Sequence, residues 1–354
     1  MYIVIAIIAF GFLVVIHELG HFVAARIMGV RVNEFAIGMG PKLLKKQGKE
    51  TLYTLRLLPF GGFCAMEGED EDTGDSRSFT AQKRWKRVII LAAGSFMNFL
   101  AGFIIILLLF SNISAVVGTT ITELKPDFPD FGASSLQVGD KILSVNGEKT
   151  YYSGDFMLFM ELYSADSGKA DIVLLRNGEK ITINGMPLVK REYTADGKTE
   201  KLFGITFDRI EANFGEKIKY SCYTAMNNVR LIRVSLVQLF TGNFGIRDMS
   251  GPVGIVAAMN DSALDSTSFA DALWSIFNFT AFIAINLAVM NMLPIPAVDG
   301  GRILFTVINF LLEKITRRKI NPKYEGYIHA AMLVLLMGLM VFTLVNDVVK
   351  IVNG

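Results

Sequence analysis

The chemistry-bearing residues cluster first at His17-Glu18-Leu19-Gly20-His21, which holds two of the three histidines in the chain. On a helix, side chains four apart share a face, so both imidazoles can reach one divalent ion. Glu18 lies beside them and can act as general base toward a water activated by that ion. This is a set for metal-assisted hydrolysis. The pattern lies within an apolar run, where an ionisable side chain costs about 3 kcal/mol and is functional by default. The competing reading is polar residues that line a water-filled cavity or pair between helices.

Two imidazoles leave a tetrahedral zinc short of one protein ligand, with the fourth position kept open. Asp299 stands out in Asn291-Met292-Leu293-Pro294-Ile295-Pro296-Ala297-Val298-Asp299-Gly300-Gly301. It is an isolated carboxylate between two apolar runs. The prolines end a helix, and irregular backbone at membrane depth is tolerated only in protein or beside a cavity. Alone, Asp299 reads as a turn or cap residue; beside the histidine motif it reads as the third ligand. Depth agrees: His17 lies roughly 20 Å in from the N-terminal surface, and the run from Trp274 to Pro294 descends roughly 30 Å.

The elements that must position these groups are membrane helices. The chain has 354 residues, 52% of them hydrophobic, with a mean hydropathy of +0.43. The excess sits in blocks near Tyr2–Met28, Val88–Phe110, Leu273–Leu293 and Tyr327–Val345, each close to the roughly 20 residues a spanning helix needs. A further apolar stretch, Ile303–Leu312, follows the prolines. No basic segment precedes the first block, which therefore reads as a retained helix and not a cleaved leader. The net charge of +2 and the lack of a basic patch interleaved with aromatics argue against nucleic acid. Cys64 and Cys222 read as unrelated free thiols.

Between the second and third blocks the sequence turns polar. Ile142-Leu143-Ser144-Val145 runs into the turn Asn146-Gly147, and Ile172–Leu175 and Ile181–Ile183 flank Asn177-Gly178. Residues 155–163 look helical, 191–215 polar and strand-like. From Ile218 to Phe240 apolar residues recur at helical spacing, as in a helix on the membrane surface or an ordinary packed helix. The expected class is a polytopic α-helical membrane protein with four transmembrane segments and an inserted β-rich domain. The expected divisions are 1–112, 113–190, 191–272 and 273–354.

Taken with its flanking residues, His17-Glu18-Leu19-Gly20-His21-Phe22 resembles the metal motif of the site-2 protease family of intramembrane metalloproteases. Asn291 to Gly301 resembles that family's second motif, and the likeness spans nearly the whole chain. It implies a zinc site of His17, His21 and Asp299, with Glu18 as catalytic base and Asn291 and Asn286 holding an unwound substrate backbone. Weaker likenesses are Gly38-Met39-Gly40-Pro41 to a glycine-rich membrane loop, and residues 51–56 with 59–63 to a membrane-associated hairpin. An exposed edge there suits pairing with an extended substrate. Gly94–Phe99, with Asn98, resembles a helix motif but carries Ser95 and no proline. Val138–Gly147 resembles part of a PDZ module, which makes this the single-PDZ form, and Gly251–Ile255 also recurs in the family. His329 reads as a helix-end residue near the interface, with a third imidazole ligand as alternative. The acidic run Glu67–Asp72 reads as a solvated loop.

The resemblance implies substrates that are single-pass membrane proteins already shortened outside by another protease, such as anti-sigma factors and remnant signal peptides. The alternatives are a catalytically silent PDZ-bearing membrane scaffold and, behind it, a metal-gated transporter. The intact Glu18 and Asp299 argue against the first, and too few helices without an inverted repeat against the second.

Lys and Arg crowd the loop between the first two blocks (Arg31, Lys42, Lys45, Lys46, Lys49, Arg56 and beyond) and the 314–323 segment, so both should face the cytoplasm. Both termini and the 111–272 region are then extracytoplasmic in the cell membrane. In a background lacking Cys64 and Cys222, a cysteine at Lys45 should resist an impermeant maleimide in intact cells and one at Lys149 should react. The reverse pattern would invert this orientation.

Overall fold

The computed structural model describes residues 2–353 except 70–72, 127, 130, 133–134, 168, 188–189, 196–197, 242–250, 265, 267 and 318–321. Part of the acidic run (70–72) and of the second basic loop (Arg318, Lys319) thus lies outside the described residues. The chain divides into two compact units, Met1–Leu109 with Thr224–Gly354, and Phe110–Tyr223.

In the first unit, helix α1 (Tyr2–Met28) is an unbroken apolar run without proline. It stops where Gly29 takes φ +86° and the Val30 N–H reaches back to the Ala25 carbonyl at 2.8 Å, a helix-closing cap that needs a left-handed residue. Strands β1 (Val32–Gln47) and β2 (Leu52–Met66) follow, then α2 (Arg84–Phe110). After the second unit come α5 (Pro252–Leu264), α6 (Phe269–Asn291), α7 (Asp299–Thr316) and α8 (Pro322–Asn353). Among the described residues, four helices are long and apolar enough to cross a membrane: Tyr2–Met28, Arg84–Phe110, Phe269–Asn291 and Tyr324–Lys350. The protein is a multi-pass membrane protein. Helix α5 occupies the segment in which the sequence offered only the Gly251–Ile255 motif. Asp347 of α8, buried, accepts from the Gly251 and Gly254 N–H groups at 3.1 and 2.8 Å, which fixes the start of α5.

The β1–β2 sheet differs from the expected hairpin within 51–63. Gly38 and Gly40, at φ +84° and +83°, lie inside β1, not in a separate loop, and bend it. Residues 32–37 pair with 62–66 on one side, and on the other lie beside 52–55 in ascending register (Glu34 opposite Leu52, Ile37 opposite Leu55). Residues 42–47 then cover the far side of 52–56. Two bent strands thus make a sheet four segments wide, and 62–66 forms an outer edge. The periodicity of the sequence is blind to this doubling, because it depends on bends and not on alternation.

The second unit is a six-stranded sheet of β3 (Ala115–Leu124), β4 (Lys141–Val145), β5 (Glu148–Lys149), β6 (Ala170–Arg176), β7 (Glu179–Met186) and β10 (Ile205–Glu211). Its path order is β10-β3-β4-β6-β7 with β5 on β4, all antiparallel. Helix α3 (Ser153–Ser167) seats Phe156, Phe159 and Met160, fully buried, against Ile142, Ile172 and Leu174. A separate hairpin joins β8 (Arg191–Ala195) to β9 (Lys198–Leu202). The unit therefore runs past residue 190: β10 completes the sheet along β3 and the unit reaches Tyr223. The strand-like reading of 191–215 thus holds for Ile205–Glu211, but its place in this sheet was not legible. Helix α4 (Phe214–Thr241) spans the amphipathic stretch and leads back into the first unit.

One carboxylate ties the bent sheet. Glu34 accepts from Arg56 Nη2 and Thr54 Oγ1 at 2.8 Å and from Lys42 Nζ at 2.9 Å, so it joins three of the four segments. Burial opposes its ionisation, but these donors outweigh that and hold the carboxyl below its ordinary 4.5, at about 2. A lowered carboxyl stabilises the fold above its unfolded value and ceases to as pH falls through its folded value. Glu34→Gln should lower the thermal midpoint at pH 7, and the gap from wild type should shrink below about pH 4.5 and close near pH 2. A gap independent of pH would show that the carboxylate charge is not what binds these segments.

Candidate metal centre

Helix α1 presents His17 and His21 on one face, and α2 comes close enough to orient them. Glycines permit the approach. A Cβ on Gly20 would sit 2.4 Å from the Ala93 carbonyl oxygen, and one on Gly94 would sit 2.4 Å from His21 Nε2. The imidazoles thus lie directly over the backbone of α2. His21 Nδ1–H donates to the Ile90 carbonyl at 2.8 Å, which turns Nε2 inward. Asn98 Nδ2 lies 3.5 Å from His17 Nδ1, while its own Oδ1 is buried without a partner among the described residues. With this amide turned over, Oδ1 accepts from His17 Nδ1–H. Each Nε2 is left with its lone pair free.

Asp299 reaches the same point from α7. Helix α6 stops at Asn291, ahead of Pro294 and Pro296, and α7 restarts at Asp299, in the first turn where a carboxylate suits the helix dipole. Asp299 Oδ2 lies 3.2 Å from His17 Nε2 and 3.3 Å from His21 Nε2, and the two Nε2 atoms are 3.2 Å apart. The side chains are 13%, 8% and 19% exposed for His17, His21 and Asp299. Donors on a tetrahedral zinc at about 2.0–2.1 Å lie about 3.3–3.4 Å apart. With both Nδ1 atoms protonated, three lone-pair atoms face one another, an arrangement that repels unless a cation lies between them. The residues fit a zinc ion, and these three form the one cluster of metal-binding type among the described residues.

A cavity of about 640 Å³ opens at this cluster. Glu18 lines it, with Phe63, Cys64, Ala65 and Met66 of the sheet edge. A Cβ on Gly62 would stand 3.3 Å from Glu18 Cγ, so the edge passes close to that carboxylate. Glu69 and Arg302 form an ion pair in the cavity wall. Glu69, expected in a solvated loop, thus belongs to the site's surroundings. Asn291 Nδ2 lies 3.5 Å from His17 Nε2. Asn286 is half-buried on α6 and, like Asn291, does not line the cavity. His329 stands outside the ligand cluster. Asn98, named in the sequence only within the Gly94–Phe99 likeness and given no role there, is buried on an apolar helix. Its signal was available, since a polar side chain within such a helix calls for an explanation. Cys64 is a buried free thiol and Cys222 an exposed one.

Comparison with known proteins agrees with this geometry. The family model of peptidase family M50 matches residues 5–339. A protein named as a zinc metalloprotease in Clostridium perfringens is 33% identical over 353 residues, 99% of each chain. A similarly named protein of Clostridium acetobutylicum is 36% identical over 360 residues, 99% of this chain and 98% of the relative. The regulator of sigma-W protease RasP of Bacillus subtilis is 28% identical over 431 residues, 98% of this chain and 97% of the relative.

Asp299→Asn should lower zinc affinity far more than Glu18→Gln, because a neutral amide oxygen is a poorer ligand for a divalent cation. Metal analysis of the purified variants tests this. Full occupancy in the Asp299→Asn protein, with loss in another carboxylate variant, would reassign the third ligand.

Proposed function

Because the chain belongs to peptidase family M50, and is thereby an intramembrane zinc metalloprotease, we propose that it cuts the membrane segments of single-pass proteins at the His17–His21–Asp299 centre. The observation that carries this reading is the triangle of donor atoms at 3.2–3.3 Å, open to a cavity bordered by a strand edge. His17, His21 and Asp299 hold the ion, which when bound supplies Lewis acidity at the scissile carbonyl.

The remaining steps fall to the chain's own groups. A helical substrate hides its carbonyls in its own hydrogen bonds and must unwind to be cut. The 62–66 edge, beside Glu18, offers replacement backbone partners in the manner of strand addition. By the family resemblance Asn291, whose Nδ2 lies 3.5 Å from His17 Nε2, and Asn286, a little over a turn earlier, hold the unwound substrate backbone. Glu18 takes the proton from the attacking water and passes it to the leaving amine. In Glu18→Gln the shape is kept and the proton acceptor is lost. Incubating the purified protein with a transmembrane peptide and weighing the fragments tests this, with a chelator-treated sample as control. Wild-type turnover by Glu18→Gln would refute the mechanism.

The substrate class follows the resemblance: membrane proteins already trimmed outside, anti-sigma factors and remnant signal peptides among them. One relative is itself named a regulator of sigma-W protease. The Phe110–Tyr223 unit serves as a PDZ-like module. Between Ser153 and Met157 of α3 and residues 202–207 leading into β10 lies a groove of about 400 Å³. Strand β10 is an edge of its sheet, so an extended peptide end can add to it. Placed outside the membrane, the module selects substrates by end or by size.

Ala115, the first residue of β3, and Glu211, the last of β10, are paired neighbours, so a short Gly-Ser linker can replace everything between them. The linker variant should keep its zinc and its cleavage of a shortened substrate, and also accept substrates with intact outer domains. An empty metal site in that variant would show that the module is structural and would end the filter idea.

A further inference from the structure

We propose that His329 is a positioning residue of the metal centre: its Nδ1 holds the Ala297 peptide, and thereby the loop that delivers Asp299. The inference rests on the reading of Asp299 as third ligand.

The loop between α6 and α7 spans residues 292–298 and connects a helix end to a metal ligand. Pro294 and Pro296 have no backbone N–H to anchor it. Ala297 takes φ +79°, a left-handed conformation uncommon for a residue bearing a Cβ. Such conformations persist where the surroundings enforce them. The enforcing contact is visible: the Ala297 N–H donates to His329 Nδ1 at 2.8 Å, across 32 residues of sequence. The same imidazole lies against the Phe305 ring, centroids 5.3 Å apart, on the helix that begins with Asp299. One side chain of α8 thus touches the strained peptide on one side of Asp299 and the helix on the other.

The chemistry required at position 329 is narrow. The Ala297 N–H needs an acceptor, and Nδ1 supplies a lone pair while the ring proton resides on Nε2. Without it, the Ala297 peptide loses a restraint on its left-handed conformation, and Asp299, two residues on, is held less firmly. A metal centre tolerates about 0.5 Å of such drift before its ligand geometry degrades. Outer partners of this kind are worth about 10- to 100-fold in metal affinity.

The test uses the full-length protein in detergent with two variants. His329→Leu removes the acceptor, whereas His329→Asn replaces it, since the Asn Oδ1 falls near the position of Nδ1. Zinc affinity is measured by chelator competition, and ligand geometry by the visible absorption of the cobalt-loaded protein. His329→Leu should bind zinc about 10- to 100-fold more weakly and alter the cobalt bands, with the thermal midpoint of the metal-free protein unchanged. His329→Asn should stay near wild type in both. Wild-type affinity and bands in His329→Leu would overturn the inference, as would equal losses in both variants with a lowered metal-free midpoint. Asp299→Asn, run alongside, separates the two readings. Wild-type affinity there overturns the ligand assignment and this inference with it. Metal loss there, with wild-type affinity in His329→Leu, overturns this inference alone.

Discussion

Three lone pairs aimed at one point within a membrane protein are the constraint to which the first unit is built. Nε2 of His17, Nε2 of His21 and Oδ2 of Asp299 stand 3.2–3.3 Å apart. Nothing in lipid would hold such groups together, because the atoms repel and their burial is unfavourable. The structure holds them by pinning the far side of each. His21 is turned by the Ile90 carbonyl and His17 by Asn98. The backbone ahead of Asp299 is fixed at Ala297. A cation between the three would turn that repulsion into attraction.

The same constraint accounts for the irregular backbone nearby. A continuous helix through residues 292–298 would carry Asp299 onward in regular register; breaking the chain at Pro294 and Pro296 and restarting α7 at Asp299 puts the carboxylate on a helix N-terminus. The bent β1–β2 sheet answers a second need. A protease must offer hydrogen bonds to a backbone that has surrendered its own, and residues 62–66 bring an edge to the cavity that Glu18 lines. Glu34 and its three donors tie together the other three segments of that sheet. The helix-borne donor cluster and an open sheet edge are thus joined within one unit.

Much of this was legible in the residues. The four-residue spacing of His17 and His21, on an apolar run, specifies a helix and a shared face. Asp299, a turn or cap residue when read alone, becomes a ligand candidate once it is set beside that motif. Block lengths specify spanning helices, because bilayer thickness sets the count, although real helix ends overrun the apolar runs, as α8 does at Pro322–Asn353. These are local regularities, and local regularities survive in a linear string.

What the tertiary structure decided is every relation between distant segments. The 191–215 stretch reads as strand-like, but that Ile205–Glu211 completes the sheet along β3, far earlier in the chain, follows only from the pairing. Gly38 and Gly40 read as a loop, yet bend a strand that the sheet carries on both sides. Asn98 and His329 gave only faint signals, since an orienting side chain is defined by the atom it meets, 81 and 32 residues away. Residue type and spacing determined which atoms could bind a metal; only packing decided that three of them meet, and what holds each one there.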